Sequence, residues 1–531
     1  MSKRELLLGA EVIAQAAIDE GLSGVYAYPG TPSTEITEYI QQSEEARSGI
    51  IRAAWSVNEK TAYESALGMS YAGKRSMVCM KHVGLNVAAD AFMNSAITGI
   101  KGGMVVVVAD DPSMHSSQNE QDTRYYSRFA QLPLLEPSNQ QEAYDCVRYA
   151  FPFSEKMGLP VMLRITTRLS HSRSTIIRRK PGLPNPLLPD NDRSKWILLP
   201  ANARRQYQHL LDLQPALTEA SEKSPYNKVQ EGEGELGIIA FGLAYNYVME
   251  VITRFKLQLP VLKLSHYPLP EQMVRTFTSQ YKRILVAEEG YPIYEELFKG
   301  FFGNSIFSGR LDGTLPRTGE LTPDALIKAL HPSAAQAGPP VPSLVAARPP
   351  ELCQGCGHRD LYDALNEAMD AYTSRHVFAD IGCYTLGALP PYNAINTCVD
   401  MGASVTMAKG AADAGLQPAV AVIGDSTFTH SGMTGLLDAV NDQSAVTIII
   451  SDNFTTAMTG GQDSGATGRI AAICAGLGVE HHHIRTLVPL RKNHDTNVTV
   501  LKEELEYKGV SVIIACRECV QTARRKKQQS L

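Results

Sequence analysis

Cys353 and Cys356 stand two residues apart in LCQGCGHRD (352–360). That spacing suits half of a zinc site, a redox dithiol, two ligands of an iron-sulfur cluster, or a tight turn without chemistry. Further on, the apolar run in VAVIGDSTF ends at Gly424, Asp425 and Ser426, and the run in AVTIIISDN ends at Asp452 and Asn453. If both runs are strands of one parallel sheet, their carboxyl ends face one crevice, where Asp425 and Asn453 offer oxygens to a single hard cation. Magnesium prefers such ligands and completes its octahedron with phosphate oxygens and water. Gly424 permits a close backbone approach to phosphate, and the Ser426 and Thr427 hydroxyls can bond its oxygens. The plainer alternative is two strand ends capped by turn residues.

These groups need strands to position them, and the chain alternates strand-like runs with amphipathic helices. Its 531 residues suggest about three domains. GVYAYPG, SMVCMKHVG, GGMVVVVADD and PVMLRITT read as strands of a first α/β unit, residues 1–185, opened by an amphipathic helix in MSKRELLLGAEVIAQAAIDEGL. SRSTIIRRKPGLPNPLLPDNDR reads as a linker. ELGIIAFGLAYNYVMEVI, LPVLKLSHYPLP and RILVAEEG form a second unit, 186–335, followed by a Pro- and Ala-rich linker at 336–350. HVFADIGC, PAVAVIGD, AVTIIISDN and SVIIACREC are the strands of a third unit, 351–531. The expected fold class is α/β, three units with mostly parallel sheets.

Fifty Lys and Arg against 55 Asp and Glu leave a net charge of -5, which gives no electrostatic footprint for nucleic acid or a membrane surface. No signal peptide is evident and no run reaches the roughly 20 apolar residues of a membrane span, so a cytoplasmic location is expected. Nine cysteines without a secretion signal argue for thiols or metal ligands.

The Gly-Asp-Ser, 26-residue gap and Asn453 resemble the thiamine diphosphate motif. A thiamine enzyme also needs a carboxyl group on the cofactor's pyrimidine ring. NEKTAYESALGMSYAG offers Glu59, which follows the helix cap Asn58, with Glu64 as a second contender. A first-turn acid that only complements the helix dipole is the bland reading of Glu59.

With YPGTPSTEI (28–36), KHVGLNVAADAFMN (81–94), RPPELCQGCGHRD, DIGCYTLGALPPYN (380–393) and DNFTTAMTGGQ, the resemblance extends over nearly the whole chain. It is to the large subunits of indolepyruvate ferredoxin oxidoreductases, in the 2-oxoacid:ferredoxin oxidoreductase superfamily. The resemblance implies a pyrimidine-binding unit, a transketolase C-terminal-like unit and a diphosphate-binding unit. It implies that Glu59 and Thr31 are catalytic, Thr31 holding the substrate carboxylate. Gly84, Leu85, Asn86, His358, Gly424, Asp425, Ser426, Asn453 and Thr455 would bind the cofactor, with Mg2+ on Asp425, Asn453 and the Thr455 carbonyl. A [4Fe-4S] cluster would sit on Cys353, Cys356, Cys383 and Cys519, with Cys516 as the alternative to Cys519.

The activity implied is oxidative decarboxylation of an arylpyruvate, indolepyruvate or phenylpyruvate, to an acyl-coenzyme A, with electrons going to ferredoxin or another iron-sulfur acceptor. The implied partner is a small second subunit of about 200 residues, in a dimer of heterodimers. Family members usually carry a ferredoxin-like domain that is expected to be absent here, the sequence ending in CRECVQTARRKKQQSL. Electrons would then leave through a partner or directly from the proximal cluster, and a non-oxidative thiamine decarboxylase or lyase stands as the alternative. The terminal RRKK could dock an acidic carrier or be a solvated tail. Arg124 or Arg128, after the strand ending at Asp111, could meet a substrate carboxylate. The run His481, His482 and His483 is expected in a surface loop without ligand spacing.

Overall fold

The computed structural model describes residues 4–529 apart from 191, 301–305, 335–341, 347–349, 374 and 399. They form two compact units, Met1–Pro339 and Pro340–Leu531. Much of the expected linker at 336–350 lies outside the described residues.

The first unit holds a seven-stranded sheet in the order His266–Tyr267, Leu134–Leu135, Val161–Thr166, Met104–Asp110, Ser76–Lys81, Gly24–Ala27, Arg52–Trp55. All neighbours are parallel except the first pair. Its three central strands are buried at every residue, as their unbroken Val, Met and Ile runs require when helices cover both faces. A five-stranded sheet in the same unit has the order Phe307–Ser308, Arg283–Ala287, Leu236–Phe241, Val261–Leu264, Lys228–Gln230. One continuous hydrophobic core runs through both sheets.

Two sequence expectations need correction here. Arg4–Leu8 is a strand, with the helix starting only at Gly9, because it pairs antiparallel with Arg173–Ile177. That partner, RSTII, was expected in a linker; its β-branched residues suit a strand once an edge is available.

The second unit is a five-stranded, wholly parallel sheet in the order Val377–Ala379, Ala419–Gly424, Val446–Asp452, Val510–Cys516, Ile484–Leu487. Alternate residues serve opposite faces. Val420, Val422, Ile449 and Ile513 pack with Leu361, Leu365, Leu501 and Leu505 of the helices Gly357–Met369 and His494–Glu506. Ala421, Ile423, Ile448, Ile450 and Val512 pack on the other face with Val405, Leu436 and Ile470. His481–His483 forms a short 3-10 helix, in which His482 and His483 lie beside Glu480. No helix of the described residues is long and apolar enough to cross a membrane.

Candidate active site

In the first unit, Arg52–Trp55, Gly24–Ala27 and Ser76–Lys81 are adjacent and parallel, so the residues that follow them emerge at one edge of the sheet. Glu59, Thr31 and the run Gly84, Leu85 and Asn86 follow these strands in turn. Glu59 opens the helix Glu59–Tyr71, where the Asn58 Oδ1 cap accepts from the Thr61 amide at 2.9 Å. It is only 5% exposed, and a Cβ placed on Gly84 would stand 2.5 Å from its Oε1. Glu64 faces outward and pairs with Lys60, which separates the two contenders: only Glu59 is enclosed. Leu85 is buried, the Asn86 Oδ1 accepts from the Tyr126 hydroxyl at 2.6 Å, and Thr31 is half-buried in the turn before the helix Thr34–Gln42.

In the second unit, Ala419–Gly424 pairs with Val446–Asp452 so that Gly424 lies opposite Ser451. Asp425 therefore leaves the sheet beside Asp452, with Asn453 one residue further on. Asp425 is 2% exposed, and its Oδ2 has no hydrogen-bond partner among the described residues. Burial and then the neighbouring Asp452 carboxylate raise its pKa to about 7, well above the usual carboxylate range. A buried carboxylate beside a second one, with an oxygen unsatisfied, is a donor set that a divalent cation would complete. The Asn453 Oδ1 accepts from the Thr455 amide at 3.1 Å, and Phe454 between them adopts a left-handed φ of 63°, which turns the chain back over the strand end. The Ser426 Oγ accepts from the Thr456 hydroxyl at 3.0 Å. After Asp425–Thr427 the helix widens to a π-turn at Phe428–Gly432, a distortion common at functional sites. Gly424 has a packing role that the sequence does not reveal: a Cβ there would stand 2.8 Å from the Tyr384 ring.

Beside this strand end lies a cavity of about 110 Å³. Cys353, Cys356, Cys383 and Cys519 all line it, together with His358 and Asn453. Burial pushes the Cys383 thiol up to about 12, and Cys356, Cys519 and Cys353 add to the rise. The Cys356 Sγ lies 3.2 Å from the His358 Nδ1, and Gln521 donates to the Cys353 Sγ at 3.4 Å. The Cys519 amide donates to the Asn453 carbonyl at 3.2 Å, tying the cysteine loop to the turn that follows Val446–Asp452. Cys516 is oriented elsewhere, its thiol donating to the Asp452 Oδ2 at 3.7 Å. No three of the four cavity sulfurs lie within 4.8 Å of one another. A single tetrahedral zinc would set its thiolates ~3.8 Å apart, from Zn–S bonds of ~2.3 Å.

Arg124 is not available to a substrate. It is 2% exposed and spends its guanidinium on Asp122 at 2.6 Å, Glu288 at 2.9 Å and two backbone carbonyls. Arg128 is exposed. Two site neighbours escaped sequence reasoning. Asp452, read only as a strand end, is the charge beside Asp425. Lys81 is buried at the end of its strand, where desolvation lowers its pKa to about 8 and Nζ donates to the Ser116 carbonyl at 3.0 Å. The signal in both cases was a charged residue closing an apolar run.

Residues 15–209 match the family model described as pyruvate flavodoxin/ferredoxin oxidoreductase, thiamine diphosphate-binding. Residues 380–515 match the thiamine pyrophosphate enzyme, C-terminal TPP-binding domain. The indolepyruvate oxidoreductase subunit IorA of Methanothermobacter thermautotrophicus is 41% identical over 97% of this chain and 86% of its own length. Its counterpart from Archaeoglobus fulgidus is 40% identical over the same shares. The structure of 2-oxoglutarate:ferredoxin oxidoreductase from Magnetococcus marinus, with 2-oxoglutarate, coenzyme A and succinyl-CoA bound, aligns with a TM-score of 0.51 at 18% identity. That alignment covers 61% of this chain and 64% of that one, and shows a shared fold.

Proposed function

This chain belongs to the family of indolepyruvate oxidoreductase IorA subunits, and from that premise we propose that it oxidatively decarboxylates an arylpyruvate, such as indolepyruvate or phenylpyruvate. It is a thiamine diphosphate-dependent 2-oxoacid oxidoreductase. The finer reading gives the acyl group to coenzyme A and the electrons to a [4Fe-4S] cluster and then to an external iron-sulfur carrier. A smaller second subunit, in a dimer of heterodimers, completes the enzyme under this reading.

Thiamine diphosphate, when bound, supplies the electron sink that lets a 2-oxoacid lose carbon dioxide. Glu59 would hold and return a proton at its Oε1, from a pocket that Gly84 keeps narrow. Thr31 would orient the substrate carboxylate. Leu85 and Asn86 would shape the wall beside Glu59. Asp425, the Asn453 side chain and the Thr455 carbonyl would hold Mg2+ against the diphosphate, with Ser426 and His358 as further polar contacts. Cys353, Cys356, Cys383 and Cys519 would ligate the cluster, which accepts one electron at a time.

The observation that carries the oxidative reading is that Asn453 and all four cysteines line one cavity. Electrons released at the cofactor would thus have their acceptor next to its metal-binding turn. The test is iron and acid-labile sulfide on anaerobically purified protein, followed by arylpyruvate-dependent reduction of a one-electron acceptor by the complete enzyme. About four of each per chain, with reduction that requires coenzyme A, is expected. No iron, with aldehyde formed without any acceptor, would overturn the reading in favour of a non-oxidative decarboxylase.

A further inference from the structure

The helix Val520–Gln529 begins directly after Cys519, and its first two residues, Val520 and Gln521, line the cysteine cavity. Residues three apart on a helix share a face, so the face that starts at Gln521, in contact with Cys353, continues through Arg524 to Lys527. At 1.5 Å per residue these cations lie only about 8 and about 12 Å along the chain from Cys519. Arg524, Arg525, Lys526 and Lys527 are all exposed. Arg525 donates to the Gly460 carbonyl and Lys526 pairs with Glu518 at 2.7 Å, whereas Arg524 has no hydrogen bond or ion pair among the described residues. Cys353, Gln354 and Gly355 are exposed too, so the cavity has an edge open to solvent next to this helix.

We infer that this helix face and the exposed 353–355 turn form the docking surface for a small acidic iron-sulfur electron carrier. The inference rests on the oxidative reading above and adds a place where the electrons leave. The chain as a whole carries a charge of -5 and would repel an acidic protein. Four cations on one short helix, offset by Glu518 and the nearby Asp463, reverse that field locally. A carrier drawn to them arrives with its redox centre over Cys353. The step transfers one electron from the reduced cluster to the oxidised carrier, with no bond made or broken. Such rim charges act mainly on association rate and salt dependence, which suits a carrier that must leave after each transfer.

The test titrates the complete, anaerobically purified enzyme with an acidic ferredoxin by calorimetry, across a salt series. Arg524→Glu with Lys527→Glu is expected to weaken binding by roughly tenfold or more at low salt and to flatten the salt dependence. Arg524→Gln with Lys527→Gln is expected to give a smaller loss in the same direction, and guards against misfolding of the reversed variant. Reduction of a small neutral one-electron acceptor should be unchanged in both. Unaltered affinity and salt slope in variants of normal circular dichroism would overturn the docking surface. The same titration on iron-free protein separates the two readings: salt- and Arg524-dependent binding there supports the surface even if the absence of iron removes the oxidative function.

Discussion

Gly84 lies so close to Glu59 that a Cβ added to the glycine would stand 2.5 Å from Oε1 and 2.7 Å from Cγ of the glutamate. Heavy atoms do not approach so closely, so any side chain at 84 must push Glu59 out of its place. The two residues sit at the ends of different strand-helix units, and the contact fixes a carboxyl group that has almost no exposure. Gly84→Ala is therefore expected to lower kcat by roughly 10- to 100-fold while the protein remains folded, because small displacements of a proton-transfer group are costly. Glu59→Gln should cost roughly 10²- to 10⁴-fold. Exchange of the thiazolium proton for deuterium, followed by NMR on quenched samples, reads the step directly. Normal exchange in both variants would remove Glu59 from the role assigned to it.

Asp425 presents a different balance. Its carboxylate is buried next to Asp452, and Oδ2 lacks a hydrogen-bond partner among the described residues, so the unliganded protein bears a cost that a cation would offset. Asp425→Asn should leave the melting temperature of unliganded protein unchanged or slightly higher. It should also abolish the rise that Mg2+ and thiamine diphosphate together produce in wild type, since a ligand stabilises only the state that binds it. Chelation of divalent cations should reproduce the loss in wild type. A variant that still gains full stabilisation from cofactor and Mg2+ would show that the cation sits elsewhere.

Much of the site was readable because a parallel sheet states its geometry in its sequence. The runs Ala419–Gly424 and Val446–Asp452 are largely apolar and turn polar at their ends, so Asp425 and the pair Asp452 and Asn453 emerge at one end of the sheet. What stayed hidden depended on partners distant in sequence. Arg4–Leu8 reads as the start of a helix until Arg173–Ile177 is seen beside it. Arg124 follows a strand end as a substrate-binding arginine would, yet Glu288, 164 residues away, claims it. The neighbour of Gly424 is the Tyr384 ring, which no local pattern discloses.

The sequence favours Cys519 as the fourth ligand with Cys516 as the alternative, and the last strand separates the two. Cys516 is its final residue, paired in register with Asp452 and donating to that carboxylate, while Cys519 lies beyond the turn and lines the cavity. Cys519→Ser is expected to reduce iron per chain severely, whereas Cys516→Ser should retain it. Iron and sulfide analysis with electron paramagnetic resonance of the dithionite-reduced proteins checks both. Equal iron in the two variants would reject Cys519 as a ligand.

Glu289 gives the first unit a pH dependence of a definite sign. It is 1% exposed, neither carboxylate oxygen has a hydrogen-bond partner among the described residues, and burial pushes its pKa up to about 7. Glu320 adds to that rise, and Arg164, Arg310 and Arg168 oppose it. A glutamate in an unfolded chain titrates near ~4.3, so between there and about pH 7 the folded protein retains a proton that the unfolded chain has released. Its contribution to stability is thus full below ~4.3 and is lost as pH rises through about 7. Glu289→Gln removes the ionisation and keeps the shape. The variant should melt with wild type at about pH 4 and roughly 2–4 °C above it at about pH 8, for each kcal/mol of relieved desolvation. Differential scanning fluorimetry across that range is sufficient. Parallel curves for the two proteins would mean that Glu289 stays ionised in the fold and is satisfied by the arginines around it.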